Sequence, residues 1–310
     1  MTRIQKMASN DFIVGIICVV IATFGLSLKA IFIKLTYQYD ENIDAISILV
    51  IRMVLALPIF FAFLFYFVSN NKIQSQKTTW TDLTVIFLLG FIGFYLSAFL
   101  DFSALAYIPA GLERLILFLY PTFVVIFTFF IHPKQITRIV IIALILSYLG
   151  IIIVFSDQSI RFDEATLTGI TLVFLAAIIF AAYTVASVKY IRFYGTIRFS
   201  AFAMLGATIA TVIHALLING IDVFLQSTST YLFIIPMAIL STAMPLILIG
   251  KGVIKIGAPN ASIISTFGPV ITIILAYFLL NENFGFVQVI GGSLILLGVF
   301  LIVKVKQKKH

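Results

Sequence analysis

Ser103–Ile131 reads SALAYIPAGLERLILFLYPTFVVIFTFFI, and 148 residues later Lys251–Leu279 reads KGVIKIGAPNASIISTFGPVITIILAYFL. Laid over each other without a gap, Pro121 meets Pro269 and Ala110 meets Ala258. The same offset carries Gly150 onto Gly298. Apolar letters match by chance in any two greasy segments, so the shared Pro and Gly landmarks are what mark an internal repeat. An earlier echo sets FGLSLKAIFIK, ending at Lys34, against FAAYTVASVK, ending at Lys189, with a one-residue gap.

The rest of the chain has the same character. Of its 310 residues 62% are hydrophobic and 10% charged, against about 45–50% and about 25% in soluble domains. That leaves too little polar surface for a soluble globule and excludes a disordered chain. Long apolar runs cover approximately 12–33, 43–68, 83–106, 110–131, 137–156, 167–188, 197–218, 230–250, 259–280 and 284–303. Each is near the roughly 20 residues that cross a bilayer as a helix. None alternates as a barrel strand would. The expected fold is all-α and polytopic, with ten transmembrane helices. The first run is too long, and lacks the small-residue cleavage site, to be a signal peptide.

The net charge of +8 becomes a statement about orientation. With the N-terminus in the cytoplasm, fifteen Lys and Arg fall on the inner side, and only Lys34 and Arg161 fall outside. Both termini are therefore expected in the cytoplasm. Five helices per repeat is an odd number, so the second copy enters the membrane from the opposite face. The halves, 12–156 and 166–304, are expected to be inverted repeats around a pseudo-twofold axis in the membrane plane. That architecture belongs to secondary transporters.

On these landmarks the chain resembles the drug/metabolite transporter superfamily, EamA type, in its ten-helix form. The carrying residues in the first half are Gly25 to Lys34, Arg52, Ala104-Leu105-Ala106-Tyr107 and Tyr120-Pro121. In the second half they are Gly268-Pro269, Leu280-Asn281-Glu282, and Gly291-Gly292 with Gly298. His132-Pro133-Lys134 stands where the first repeat of such proteins usually carries a Gly-Glu pair. The resemblance implies alternating-access transport of small polar metabolites across the inner membrane of a bacterium, with amino acids and their relatives leading. It favours export with proton exchange over uptake of a metabolite, vitamin or nucleoside-like cofactor.

Five ionisable residues fall inside apolar runs: Lys29, Arg52, Asp101, Glu113 and Arg114. Each costs roughly 2.5–3.5 kcal/mol at a helix centre unless paired or hydrated. All five map to the outer half of the membrane. They are candidates for substrate binding or gating, against the alternative of fixed structural pairs. A substrate carboxylate would suit Arg52 or Arg114, while Asp101 could exchange a proton. Glu113, early in its helix, has a second explanation in the helix dipole, and Lys29 one in snorkelling outward. Tyr120, Asn260 and Ser262 are further lining candidates. Pro121 and Pro269 read as mid-helix breaks beside a cavity.

No cofactor, metal site or nucleic-acid partner is expected. His132, His214 and His310 lack metal-ligand companions at suitable spacing, and no nucleotide-binding loop is present. A membrane-embedded enzyme or a scaffold would need a nucleophile set or an extramembrane domain that the sequence does not offer. Oligomeric state is not legible.

Overall fold

A hydrocarbon solvent leaves a spanning segment only internal partners for its backbone, so each apolar run must satisfy its own N–H and C=O groups as a helix. The computed structural model describes residues 3–69, 79–131, 138–156 and 163–307, and every regular element among them is helical. They are α1 (Arg3–Tyr39), α2 (Ala45–Ser69), α3 (Trp80–Gly90), α4 (Ser97–Ala104), α5 (Ala110–Leu117), α6 (Tyr120–Ile131) and α7 (Arg138–Phe155) in the first half. The second half holds α8 (Glu164–Tyr194), α9 (Thr196–Asn219), α10 (Thr228–Ala238), α11 (Met244–Ser265), α12 (Gly268–Leu280) and α13 (Phe286–Gln307).

Seven stretches are long and apolar enough to cross a membrane: Phe12–Tyr39, Ala45–Tyr66, Trp80–Ala104, Ala110–Ile131, Glu164–Tyr194, Thr196–Phe224 and Thr228–Ile256. Ile141–Phe155, Gly268–Leu280 and Phe286–Leu301 are shorter apolar helices. Each of the ten apolar runs falls on one of these. The helix starts carry the expected caps. Thr79 accepts from Asp82 N at 3.2 Å, Asp163 from Thr166 N at 2.8 Å, and Ser227 from Thr230 N at 3.2 Å.

The repeat is visible in irregularities as well as in letters. α3 passes into α4 through a π-helical stretch, Phe91–Leu96, and α10 passes into α11 through another, Ile239–Ala243. Their starts are 148 residues apart. The chain breaks between α5 and α6 at 118–119 and between α11 and α12 at 266–267, again at that offset. Pro121 and Pro269 are therefore not mid-helix breaks. Each lies in the first turn of a new helix, where its missing N–H has no intrahelical partner to lose. Pro58 in α2, Pro236 in α10 and Pro259 in α11 do sit inside helices.

Packing follows a twofold pattern. α1 lies along α10 and α11, while α8 lies along α3 and α4; α2 packs on α9, and α7 on α13. The α7–α13 contact is self-complementary. A Cβ on Gly150 would lie 2.5 Å from Gly291 O, and one on Gly298 would lie 2.5 Å from Ala143 O. Under the 148-residue offset Gly298 is the copy of Gly150 and Gly291 the copy of Ala143. The π-helical stretch and α11 run along α1 from Leu240 beside Gly25 to Ile256 beside Gly15. By Gly268 the chain has returned, and Ser27 Oγ donates to Gly268 O at 3.0 Å.

Apolar helices gain nothing from the hydrophobic effect against one another in lipid, so close backbone approach at small residues must hold such contacts. Gly150→Val should therefore lower stability in detergent by about 1–3 kcal/mol, the usual cost of overpacking, read as an earlier thermal loss of the monodisperse peak. Gly195→Ala, where a Cβ would meet nothing within 4 Å but φ is +76°, should act only through backbone strain.

Candidate functional site

The π-helical stretch before α4 inserts an extra residue into the turn and so changes the face that α4 presents. Asp101, 3% exposed, consequently faces α1, where its Oδ2 accepts from Lys29 Nζ in an ion pair. Phe102 beside it is fully buried, and its ring lies under two cations. The Arg52 guanidinium carbon is 4.8 Å from the ring centroid and Lys29 Nζ is 6.0 Å away, within the range of cation–π attraction. Tyr37 on α1 donates its hydroxyl to Phe102 O at 2.9 Å and fixes the end of α4.

Arg52 is 7% exposed and, among the described residues, forms no ion pair; its Nε has no acceptor there. Asp101 acts on it through its field, while the ring of Phe102 takes the contact. Lys29, instead of snorkelling outward, spends its charge on Asp101.

Glu113 is completely buried, and neither carboxyl oxygen meets a donor. It lies within the electrostatic field of Asp101 and of Lys29. The helix-dipole explanation does not account for it. The free N–H groups that open α5 are taken by a residue from the other half: Ala110 N donates to Glu282 Oε1 at 2.8 Å, and Gly111 N to Glu282 Oε2 at 3.2 Å. Arg114 points the other way, as its neighbour's position on the helix requires. Its Nη2 donates to Leu26 O at 3.5 Å, and a Cβ on Gly268 would be 3.8 Å from that same nitrogen. Arg114 thus stands at the seam between α1, α5 and the start of α12. Tyr120 packs edge-on to Phe180 of α8, with centroids 5.1 Å apart, and lies within the field of Arg114.

Five ionisable groups are thus gathered on α1, α2, α4 and α5, with Tyr120 adjoining. Asn260 and Ser262 belong to α11, but their side chains lie outside the described residues. The cluster belongs to the first repeat alone. At the 148-residue offset, Asp101, Glu113 and Arg114 correspond to Ile249, Ala261 and Ser262. Sequence reasoning missed Phe102, one of 32 phenylalanines, and the reach of Glu282 across the halves. Nothing in local sequence marks the first. The second was visible only as an acid at a landmark.

A two-repeat helical membrane fold around a buried charge cluster defines a membrane transporter. The profile of the EamA-like transporter family matches residues 13–156 and 167–304, and the chain belongs to that family. It is 29% identical over 293 residues to the "Uncharacterized transporter YcbK" of Bacillus subtilis (strain 168), covering 93% of this chain and 91% of the relative. An "Uncharacterized transporter" of Clostridium kluyveri is 27% identical over 235 residues, covering 74% of this chain and 75% of that one. A chain of known crystal structure has the same fold, with a TM-score of 0.62 at 15% identity, over 96% of this chain and 99% of that chain.

Removing one member of a buried ion pair leaves the other charge unpaired and costs about 3–5 kcal/mol. Asp101→Leu should therefore abolish or sharply reduce the folded fraction. Lys29→Met together with Asp101→Leu should recover most of it, measured by thermal unfolding in detergent. A double variant no more stable than Asp101→Leu alone would show that the pair is not what holds α1 to α4.

Proposed function

We propose that the protein is a secondary transporter of small carboxylate-bearing metabolites, amino acids and their relatives foremost, working by alternating access in the bacterial cytoplasmic membrane. In this reading the ten apolar helices all cross, both termini are cytoplasmic, and the repeats 12–156 and 166–304 rearrange about the cluster. The observation that carries the proposal is the charge imbalance inside the bundle. Three cations stand with two acids and, among the described residues, only Lys29 and Asp101 pair while the guanidiniums of Arg52 and Arg114 have no carboxylate. A buried guanidinium is stabilised most by a carboxylate or phosphate that can meet it in a fork. Arg114, at the seam between the halves, is the group we assign to the substrate. Arg52, held over Phe102, sets the positive field behind it.

The carboxyls of Asp101 and Glu113 support proton exchange. Two buried carboxyls within each other's field are hard to ionise together, and in this reading a proton held by one of them is released in a turn of the cycle. Lys29 then holds whichever carboxylate is charged. Inward-directed protons exchanged for outward-moving substrate give export.

In proteoliposomes, counterflow of labelled amino acids should fall at least tenfold in Arg114→Ala and in Arg52→Ala. Glu113→Gln should keep counterflow but lose the acceleration given by a pH gradient. Wild-type rates in all three variants would remove the cluster from the transport path while leaving the family assignment untouched.

A further inference from the structure

Five side chains of the two halves meet at the end of the bundle where α1 finishes. Thr230 of the second half donates to Asp40 Oδ2 at 2.9 Å. Asn219 Nδ2 donates to Asp44 Oδ2 at 2.8 Å and to Ser47 Oγ at 3.1 Å. The third link, from Glu282 to the start of α5, differs in kind because its partners are backbone N–H groups at a helix N-terminus. The carboxylate satisfies two donors and meets the positive end of the helix dipole at once. Asn281 makes this reach possible. It adopts a left-handed conformation, φ 54°, and closes the end of α12 by donating to Ala276 O, which turns the next residue back over the bundle. Phe284 completes the contact, since a Cβ on Gly111 would lie 1.9 Å from its ring.

The helix held in this way is the one that carries Glu113 and Arg114, three and four residues past Ala110. We infer that Glu282 is the latch of the outer gate, joining the second half to the substrate-bearing helix of the first, and that opening to the outside requires its two bonds to Ala110 and Gly111 to break. In the other copy, the residue 148 positions before Glu282 is Lys134, a cation that cannot accept from a helix N-terminus. A latch of this chemistry is therefore written into one face of the molecule. The sidedness rests on the proposed topology with both termini inside; the contact itself does not.

The test reads accessibility, which needs no substrate. Cys18 is the single cysteine, so Cys18→Ser gives a clean background. Ser27→Cys then places a thiol at a fully buried position, two turns below Lys34 and against α12. Intact cells are treated with a membrane-impermeant maleimide, and a permeant one reports the total thiol. Labelling from outside should be slow with Glu282 intact and rise at least tenfold in Glu282→Ala. Glu282→Gln, which keeps one acceptor oxygen, should lie between them. Detergent monodispersity of the Gln variant guards against a folding defect. Equal labelling in all three forms overturns the latch, as does a response confined to reagent on the cytoplasmic side. Loss of counterflow in the Arg114→Ala variant bears on the transport site alone, so the two readings fail separately.

Discussion

An ion cannot be left alone in hydrocarbon, and much of this molecule's first half is arranged around that constraint. Lys29 and Asp101 are each too deep to reach water cheaply, and together they join α1 to α4. Arg52 has, among the described residues, no acid within ion-pairing distance and is placed over the face of Phe102 instead. Once those positions are occupied, Glu113 lies in the field of Asp101 with no donor for either oxygen, and Arg114 is turned to the seam with α12. The cluster is linked through Asp101, since moving either member of its pair with Lys29 leaves the other charge without its counterpart. Such a network is a poor source of stability, because desolvation consumes much of the Coulomb gain. Its retention in one repeat only is better explained by work done at the site than by holding the fold together.

How much of this was legible in sequence depends on contrast. Charges in apolar runs stand out, so the five ionisable residues were recognised as one set, and Pro and Gly landmarks revealed the repeat. Pairing was not legible. It depends on the rotation of each helix about its axis, and helices that are apolar on nearly every side give no periodic stripe from which to read that rotation. The π-helical stretch at Phe91–Leu96 decides which way Asp101 faces, yet its composition is that of any membrane helix. Pro121 and Pro269 were placed in the correct segments with the wrong role. A proline near the end of an unbroken apolar run looks like a kink until the break two residues before it is seen.

Glu282 shows the opposite limit. In sequence it is an acid in a short polar turn between two apolar runs, where solvation is the simplest fate. Its bonds to Ala110 and Gly111 span about 170 residues, and only the twofold packing of the halves brings them together. The inverted repeat accounts for the approach: the turn that ends α12 and the turn that begins α5 lie at the same face because the second copy is upside down with respect to the first.

Inverted symmetry also poses a thermodynamic question that the asymmetric residues answer. Two identical copies would give inward-open and outward-open states of equal energy, each half populated. A charge cluster in one copy and a carboxylate latch on one face break that degeneracy. They cannot set the direction of net transport, which belongs to the gradients across the membrane. They do set which state waits for substrate, and the apparent affinity from each side scales with the population of the competent state. On the topology and latch proposed above, the waiting state with Glu282 engaged is the one closed at the outer face. A carrier whose task is to collect metabolite from the cytoplasm gains apparent affinity on that side without any change in the contacts made to the substrate itself.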